Sequence, residues 1–411
     1  MYKSFKNLNN LTLKDENLIP HYQPILNTIS REIYGYEVLG RYFVGDEKNF
    51  YSLGALFHDK DVNLSEKVQI DRIIRNKAVK YLKTSNSDTK LFINMMPNLL
   101  STLHSEDLDP IRFHIIQLVE KYKINKRNIV LEITEDEFQG SFDKLLKIIS
   151  VFREYGFRIA LDDVGAGFSN LERIGYIHPD ILKVDIKLMR ESLSSNSFLQ
   201  VLGAVSNLSA KLGAELLFEG IENENELNLG FKMGASLLQG FYFSKASDKF
   251  ISKTAYSQEL KKSLEKFSGL RFIELVEFRI FVDSNIQLFL VFLSNLEIEF
   301  KKTPTISELL NSQLNHLPDE IYEVFITDFH GYKISPIFIN KEKKWFIKES
   351  ANESNFAWKP FFIEHKAETY HHKKIWSITE TLFDIENQCK YLICCFTFDS
   401  DKIIIAKLKL S

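Results

Sequence analysis

The chain has 411 residues, 45% hydrophobic and 26% charged, which is typical of globular proteins and leaves room for a large domain and a smaller one. Its net charge of −3 provides no overall positive field, so nucleic-acid polymers and anionic membranes are not expected partners. The most apolar run, at 286–293, is too short to span a bilayer, and the polar N-terminus does not resemble a signal peptide. Three late cysteines without zinc-type spacing predict a cytoplasmic protein without structural disulfides.

Short apolar runs that predict strands alternate with helical patterns from residue 20 to residue 243. The predicted strands lie at 20–25, 32–41, 91–94, 129–135, 157–163, 181–185, 216–220 and 237–243. Helices are predicted at 65–82, from Asp109 and Pro110 onward, at 142–155 and at 198–212, and Gly156 and Gly213 cap the last two. This alternation predicts an α/β fold, a TIM-like (β/α)8 barrel with its active site at the carboxyl ends of the strands.

Asp162 and Asp163 close one predicted strand, and a glycine-rich turn follows them. Adjacent carboxylates repel each other unless a cation lies between them, although a solvated loop explains the pair alone equally well. The turn, GAGFSN, lacks the third glycine of a dinucleotide-binding motif, so this pattern does not favour NAD binding.

Polar residues stand at or near the ends of most other predicted strands. Together with the Asp pair they are Glu37, Asn94, Glu132, Asp162, Asp163, Lys183, Glu219 and Gln239. Any one of them could be a surface residue, but eight at one end of a barrel indicate a site. Buried carboxylates must be protonated, paired or metal-bound, and five of them with one lysine favour metal. Oxygen ligands indicate a hard cation such as Mg²⁺ or Mn²⁺.

Seven motifs in this region resemble those of EAL domains, the cyclic-di-GMP phosphodiesterases. YEVLGR is similar to the family's E-x-L-x-R signature, and LDDVGAGFSNL to its D-D-F-G-T-G loop. The other five are INMMP, LEITE, LKVD, FEGIE and QGFYF. The resemblance covers roughly residues 15–250 and keeps the family's motif order.

The resemblance implies hydrolysis of cyclic-di-GMP to linear pGpG with two divalent ions, Mg²⁺ or Mn²⁺, while Ca²⁺ binds and inhibits. The implied ligands of one ion are Glu37, Asn94, Glu132 and Asp162. Asp162 and Asp163 would hold the second ion, and Glu219 would reach it through water. The implied catalytic residues are Lys183, Glu219, Glu37 and Asp163. Lys183 would orient a water or help to deprotonate it, and an ion pair with neighbouring carboxylates is compatible with that role.

The resemblance also implies substrate contacts from Gln23, Leu39, Arg41, Asp185 and Gln239. Arg41 would offer a planar fork to a phosphate, whereas a strand-end capping amide is almost as good an interpretation of Gln23. Glu135 would anchor the loop after the Asp pair, and a homodimer is expected from the family.

Several positions depart from the family's pattern. Val38 replaces the alanine of the namesake motif, on the strand face that we place away from the site. Val164 and Ala166 replace a phenylalanine and a threonine in the loop that couples metal occupancy to dimerisation in the family. These changes keep a second hypothesis open, a receptor that binds cyclic-di-GMP and hydrolyses it slowly or not at all.

The pattern changes after about residue 250. We predict a barrel over 1–250, a helical connector over 251–298, and a small α+β regulatory domain over 299–411. Two hairpins are predicted, from 322–328 with 332–335 and from 390–398 with 402–410. ITDFHGYKISP and AWKPFF resemble the PAS/Cache-like domain that follows EAL barrels in YkuI-type proteins. We expect the histidines to lie on the surface and the aromatic residues in the core: His365, His371 and His372, and Trp358, Phe361 and Phe362.

Overall fold

A computed structural model describes residues 3–4, 14–44, 49–59, 61–85, 87–95, 110–134, 142–165, 171–300, 306–348, 354–384, 387–398 and 401–410. The chain forms two compact units, residues 1–269 and residues 270–411. Among the helices of these residues, none is long and apolar enough to cross a membrane.

The described strands of the first unit form one sheet. They are β1 Lys3–Ser4, β2 Leu18–Asn27, β3 Ile33–Val44, β4 Asn49–Ser52, β5 Lys90–Met95, β6 Ile129–Ile133, β7 Arg158–Val164, β8 Ile181–Val184, β9 Glu215–Phe218 and β10 Leu237–Leu238. Eight of these strands close into a ring in the order β2-β10-β9-β8-β7-β6-β5-β3, because β3 pairs with both β5 and β2. Strand β2 is antiparallel to both its neighbours, and the other pairs in the ring are parallel. The predicted TIM-like barrel is therefore confirmed, with one reversed strand.

Helices surround this ring. They are α1 Gly54–His58, α2 Leu64–Thr84, α3 His114–Tyr122, α4 Phe142–Tyr155, α5 Leu171–Ile177, α6 Ile186–Ser194, α7 Asn196–Leu212 and α8 Glu224–Lys232. The predicted glycine caps are present, with φ of +104° at Gly156 and +70° at Gly213. Asp109 lies outside the described residues, and a 3₁₀ turn at Pro110–Arg112 precedes α3.

The strand predicted at 237–243 is only two residues long. Its chain turns away at Gly240, where any side chain would collide with the backbone of Ile221. Glycine is therefore required for this close approach of two backbone segments.

The second unit is built on an antiparallel sheet. Its strands are β11 Ile321–Asp328, β12 Ile337–Lys341, β13 Lys344–Lys348, β14 Trp376–Ile378, β15 Leu382–Asp384, β16 Cys389–Phe398 and β17 Lys402–Leu410, in the order β13-β12-β11-β17-β16-β14 with β15 also on β16. Its helices are α10 Ile306–Gln313 and α11 Pro360–His372, together with most of α9 Ser257–Phe300. Leu260 of α9 belongs to the barrel core and Val282 to the core of the second unit.

One of the two predicted hairpins is correct, and the other is present only in part. Strands β16 and β17 pair as predicted. The segment predicted as a strand at 332–335 forms a single antiparallel bridge, between Thr327 and Lys333, and the regular partners of β11 are β12 and β17. The Asp328 side chain accepts hydrogen bonds from the backbone N–H groups of His330 and Tyr332 and folds this segment into a turn.

His365 is completely buried, so its predicted surface location is wrong, whereas His371 and His372 are exposed. The Nδ1 atom of His365 lies 2.9 Å from Ser377 Oγ, and its Nε2 atom lies 3.0 Å from Thr397 Oγ1. Burial lowers the pKa of His365 to about 4. The predicted core location of Trp358 is also wrong, since this residue is 69% exposed, whereas Phe362 is buried as expected.

We expect acid to destabilise the second unit through His365. At a pH between the folded pKa of about 4 and the ordinary pKa of 6.5, His365 binds a proton in the unfolded chain but not in the folded chain. The free energy of unfolding should therefore fall as the pH drops through this window, by up to about 3 kcal/mol. Urea unfolding followed by tryptophan fluorescence would measure it, since Trp345, Trp358 and Trp376 all lie in this unit.

The matched variants are His365→Gln and, as control, the exposed His371→Gln. The first should flatten the dependence between pH 6.5 and pH 4, and the second should keep it. Equal slopes in both variants would show that His365 is not the group responsible.

Candidate active site at the carboxyl ends of the barrel strands

A polar layer follows an apolar layer inside the barrel. The apolar layer contains one residue from most strands of the ring: Ile25, Phe92, Val130, Ala160, Ile181, Leu217 and Leu237. Side chains two positions apart share a face of a strand, so the next inward positions follow directly. On the parallel strands they are Asn94, Glu132, Asp162, Lys183, Glu219 and Gln239, and on the reversed strand Gln23. The pleat thus brings these predicted strand-end residues to one level of the barrel.

Lys183 stands at the centre of this layer and is completely buried. Its Nζ lies 2.6 Å from Glu132 Oε1, 2.9 Å from Asp162 Oδ1 and 3.1 Å from Glu219 Oε1. Glu219 is the least enclosed of the three carboxylates, with 24% of its side chain exposed. One ammonium therefore faces three carboxyl groups.

Burial and charge set the protonation of this cluster. Burial raises the pKa of Glu132 and of Glu219 well above the ordinary range, and Lys183 only partly offsets it. Burial also opposes the charge on Lys183, but Asp162, Glu132 and Glu219 together hold its pKa well above the usual value. For Asp162, contact with Lys183 outweighs burial, so its pKa is lowered. The ammonium stays charged, and Asp162 is its most firmly ionised partner.

Glu37 joins the layer through two amides. Gln239 Nε2 donates a 2.6 Å hydrogen bond to Glu37 Oε2, and Asn94 Nδ2 donates a 3.3 Å bond to Oε1. Asn94 lies opposite Glu132 in the register of β5 and β6. The carboxylate of Glu37 is thus held beside the Lys183 cluster by two neutral donors.

The Asp pair lies at an irregularity in strand β7. The register with β8 shifts between Leu161 and Val164, and Asp163 adopts a φ of +58°. The backbone N–H of Asp163 donates a 3.0 Å bond to Asp162 Oδ1, and Asp163 is exposed while Asp162 reaches Lys183. Such bulges redirect side chains at the ends of strands, and this one gives two adjacent aspartates different surroundings.

The donors in this layer suit a hard divalent cation. Carboxylate and amide oxygens are the ligands that such ions take, and Glu132 Oε2 is buried with no hydrogen-bond partner among the described residues. Within those residues no three carboxylate, histidine or cysteine side chains already form a cation site. The ammonium of Lys183 holds the centre of the cluster instead.

A cavity of about 290 Å³ opens beside the layer. Leu39, Arg41, Asn94, Asp162 and Asp163 contribute to its walls. Val38 lines it as well, although this valine also packs in the barrel core. The cavity places the predicted phosphate ligand Arg41 and the Asp pair around one space.

Two residues of this cavity were missed at the sequence level. Arg75 Nη2 donates a 2.8 Å bond to the backbone oxygen of Asn94, and Asp71 lies 2.8 Å from the same nitrogen. Both residues are buried and line the cavity. The sequence signal that could have identified them is the spacing of Asp71 and Arg75, two opposite charges four residues apart on one face of a predicted helix.

Some of the residues predicted to belong to the site do not contact the Lys183 cluster or lie outside the described residues. Asp185 caps helix α6, where its side chain accepts a 2.7 Å bond from the backbone N–H of Lys187. Gln23 Nε2 donates a 3.4 Å bond to the carbonyl of Ser244. Glu135 and Ala166 lie outside the described residues. The functional roles of all these residues remain predictions.

The sequence matches two family models. One, described as the EAL domain, matches residues 7–246, and the other, an EAL-domain associated signalling protein domain, matches residues 250–409. The second description does not confirm a PAS/Cache-like fold, so that part of the sequence-based assignment stays a prediction.

Two relatives match the chain over different shares of its length. The EAL-domain containing protein YkuI of Bacillus subtilis (strain 168) is 29% identical over 356 residues, which are 85% of this chain and 84% of YkuI. The probable cyclic di-GMP phosphodiesterase PdeA of Escherichia coli (strain K12) is 28% identical over 243 residues, or 57% of this chain but only 31% of PdeA.

Solved structures agree with these matches. The crystal structure of YkuI in complex with substrate c-di-GMP and calcium superposes with a TM-score of 0.86 at 26% identity, covering 100% of both chains. A c-di-GMP-bound standalone EAL protein from Vibrio cholerae O395 gives a TM-score of 0.50 at 26% identity, over 59% of this chain and 97% of that one. With a family model matched over more than half of its length, this chain belongs to the EAL-domain family.

Proposed function

We propose that this protein is a cyclic-di-GMP phosphodiesterase that opens its substrate to linear pGpG with the help of two divalent ions. The observation that carries the proposal is the buried layer in which Lys183, three carboxylates and the amide-held Glu37 meet. Relatives named as probable cyclic di-GMP phosphodiesterases, and the YkuI complex with c-di-GMP and calcium, support it.

In this proposal the carboxylates of the layer hold the ions. The ligands of one are Glu37, Asn94, Glu132 and Asp162, and those of the other are Asp162 and Asp163, with Glu219 acting through water. When bound, such ions acidify a water and neutralise phosphate charge.

The chain's own residues supply charge and orientation. Lys183 presents a fixed ammonium to the reacting phosphate and orients the water, and its three carboxylate contacts hold it in place. Arg41, on the cavity wall, offers its guanidinium to a phosphate. Gln239 and Asn94 keep Glu37 aimed into the layer. The other residues proposed to contact the substrate are Gln23, Leu39, Asp185 and Gln239.

A receptor without appreciable turnover is the second candidate. It is favoured by the ammonium that holds the centre of the carboxylate cluster, and by Val164, which replaces the family's phenylalanine. Val164 is buried and pairs with Val184, so it belongs to the sheet as well as to the loop.

We further propose that the second unit regulates the barrel. It has its own core and a cavity of about 730 Å³ lined in part by Arg279, Trp376, Ile378 and Ile393, a volume suited to a small ligand. The cytoplasmic location and the homodimer that the resemblance implies stay predictions.

Incubation with cyclic-di-GMP and Mg²⁺ or Mn²⁺ should yield the linear dinucleotide, measured by chromatography. Ca²⁺ should support binding with little product, because its looser geometry suits the reaction poorly. Glu132→Gln keeps the shape but removes a charge, and we expect it to lower kcat by about 100-fold or more. Glu323→Gln, a buried ion-paired glutamate in the second unit, is the matched control and should be unaffected.

Two outcomes would change the assignment. Tight binding by the wild type without product under Mg²⁺ or Mn²⁺ would favour the receptor. Normal turnover by Glu132→Gln would remove this carboxylate from the site.

Lys183→Met should destabilise the protein by about 3–5 kcal/mol, because it leaves Glu132, which is fully buried, and the partly buried Asp162 and Glu219 without their cation. Those carboxylates then hold protons in the folded state that the unfolded chain releases, so the stability of the variant should fall as the pH rises above 5. Mn²⁺ should restore part of it. Thermal melts with and without Mn²⁺ would measure both effects.

Lys407→Met is the control for this variant, since Lys407 pairs with a single carboxylate, Glu323, at 3.0 Å. The Lys407→Met substitution should lower the stability by less than Lys183→Met does, and Mn²⁺ should not change the stability of this control. A Lys183→Met protein as stable as the wild type, or one indifferent to Mn²⁺, would contradict the charge balance described for the layer.

A further inference from the structure

Helix α2 carries two charged residues on its buried face. This face packs against strands β2, β3 and β5, and its buried members are Ile70, Asp71, Ile74, Arg75, Ala78, Val79 and Leu82. Arg75 is only 3% exposed and Asp71 only 9%, and one turn of helix separates them. Charged side chains are almost never this buried unless they are paired. The apolar packing of α2 therefore does not explain why these two residues are present.

Stability does not explain the pair either. Asp71 Oδ2 lies 2.8 Å from Arg75 Nη2. Burial nevertheless raises the pKa of Asp71 to about 6, and the attraction of Arg75 only partly offsets this effect. A buried ion pair is often no more favourable than apolar residues of similar size. The other contact of the guanidinium is therefore informative.

Arg75 also holds the end of strand β5. Its Nη2 atom donates a 2.8 Å hydrogen bond to the backbone oxygen of Asn94. The ladder between β3 and β5 ends at the pair of Glu37 and Phe92, and the residues after this pair on both strands line the cavity beside the polar layer. Among the described residues, β6 alone pairs with β5 at Asn94. Arg75 thus secures the strand at a point where its pairing with β3 has ended.

The position of Asn94 affects the polar layer. Asn94 Nδ2 donates a 3.3 Å hydrogen bond to Glu37 Oε1, and Asn94 lies opposite Glu132 in the sheet. In the function proposed above, all three residues are ligands of one divalent ion. A shift of the β5 backbone would move one ligand and release a second. Removing a group that orients metal ligands typically lowers metal affinity by roughly 10- to 100-fold.

We propose that Arg75, held by Asp71, is a positioning residue for the metal site. It anchors the backbone at Asn94 and so keeps the side chains of Asn94 and Glu37 together. Arginine suits this role because its planar guanidinium presents several N–H donors in a fixed geometry, enough for a carboxylate and a carbonyl at once. The inference rests on the proposed function in one respect, because it takes Asn94 and Glu37 as ligands of one ion.

Mn²⁺ binding tests the inference without relying on turnover. Electron paramagnetic resonance measures free Mn²⁺ during a titration of the full chain. Arg75→Gln should weaken Mn²⁺ binding by about 10-fold or more, whereas Asp71→Asn keeps the contact with Asn94 and should weaken it by less. Arg158→Gln is the matched control and should bind Mn²⁺ like the wild type. Arg158 also pairs with a carboxylate, Glu215, at 2.7 Å, but it begins strand β7 at the end opposite the site.

Two further variants separate positioning from a folding defect. Asp71→Asn combined with Arg75→Gln removes both charges together, so no unpaired charge stays buried. This double variant should keep the circular dichroism of the wild type and still bind Mn²⁺ weakly. In an Asn94→Ala background, Arg75→Gln should add little to the loss of affinity, because the side chain that it positions is gone.

The outcomes for this inference and for the proposed function differ. Wild-type Mn²⁺ affinity in Arg75→Gln, equal losses in Arg75→Gln and Asp71→Asn, or losses that add to that of Asn94→Ala would overturn the positioning role. Mn²⁺ binding by the wild type without opening of cyclic-di-GMP would overturn the phosphodiesterase assignment but not the role of Arg75. A wild type that binds no Mn²⁺ would overturn both.

Discussion

Burial of the Lys183 ammonium is the constraint on which the barrel depends. Removing an ion from water costs several kcal/mol, and the cost is offset only where opposite charges are held at contact distance. Here those charges come from strand β6, strand β7 and the residue after β9, at 2.6–3.1 Å. The lysine is stable only when these three parts of the chain are in register, so the geometry of the site and the closure of the ring support each other.

Of the two layers inside the barrel, the apolar layer contributes to stability and the polar layer carries the candidate site. Phe92, Val130 and Ala160 fill the apolar layer, and the residues two positions later form the polar layer. The apolar layer fixes the height and spacing of the strands by close packing, and the polar layer inherits that spacing. A shift of one residue in any strand would turn its polar group away from the interior.

Features that depend on local periodicity were predictable from the sequence. The strand ends at Asn94 and Glu132, the helix ended by Gly156, and the hairpin of β16 and β17 follow from patterns within a few residues. His365 was not predictable, because its burial depends on hydroxyl groups 12 and 32 residues away. Asp185 shows another limit: an aspartate that ends a strand and one that caps the next helix have the same sequence pattern.

The reversed strand β2 affects how the barrel is completed. It pairs antiparallel with β3 through a short turn and also with β10, so the first and last strands of the ring are neighbours. The hydrogen bond between Glu37 and Gln239 spans 202 positions in the sequence. Contacts of such long range form late, because the chain must lose much conformational entropy before they contribute. The polar layer therefore stays incomplete until the segment that carries Gln239 has been synthesised.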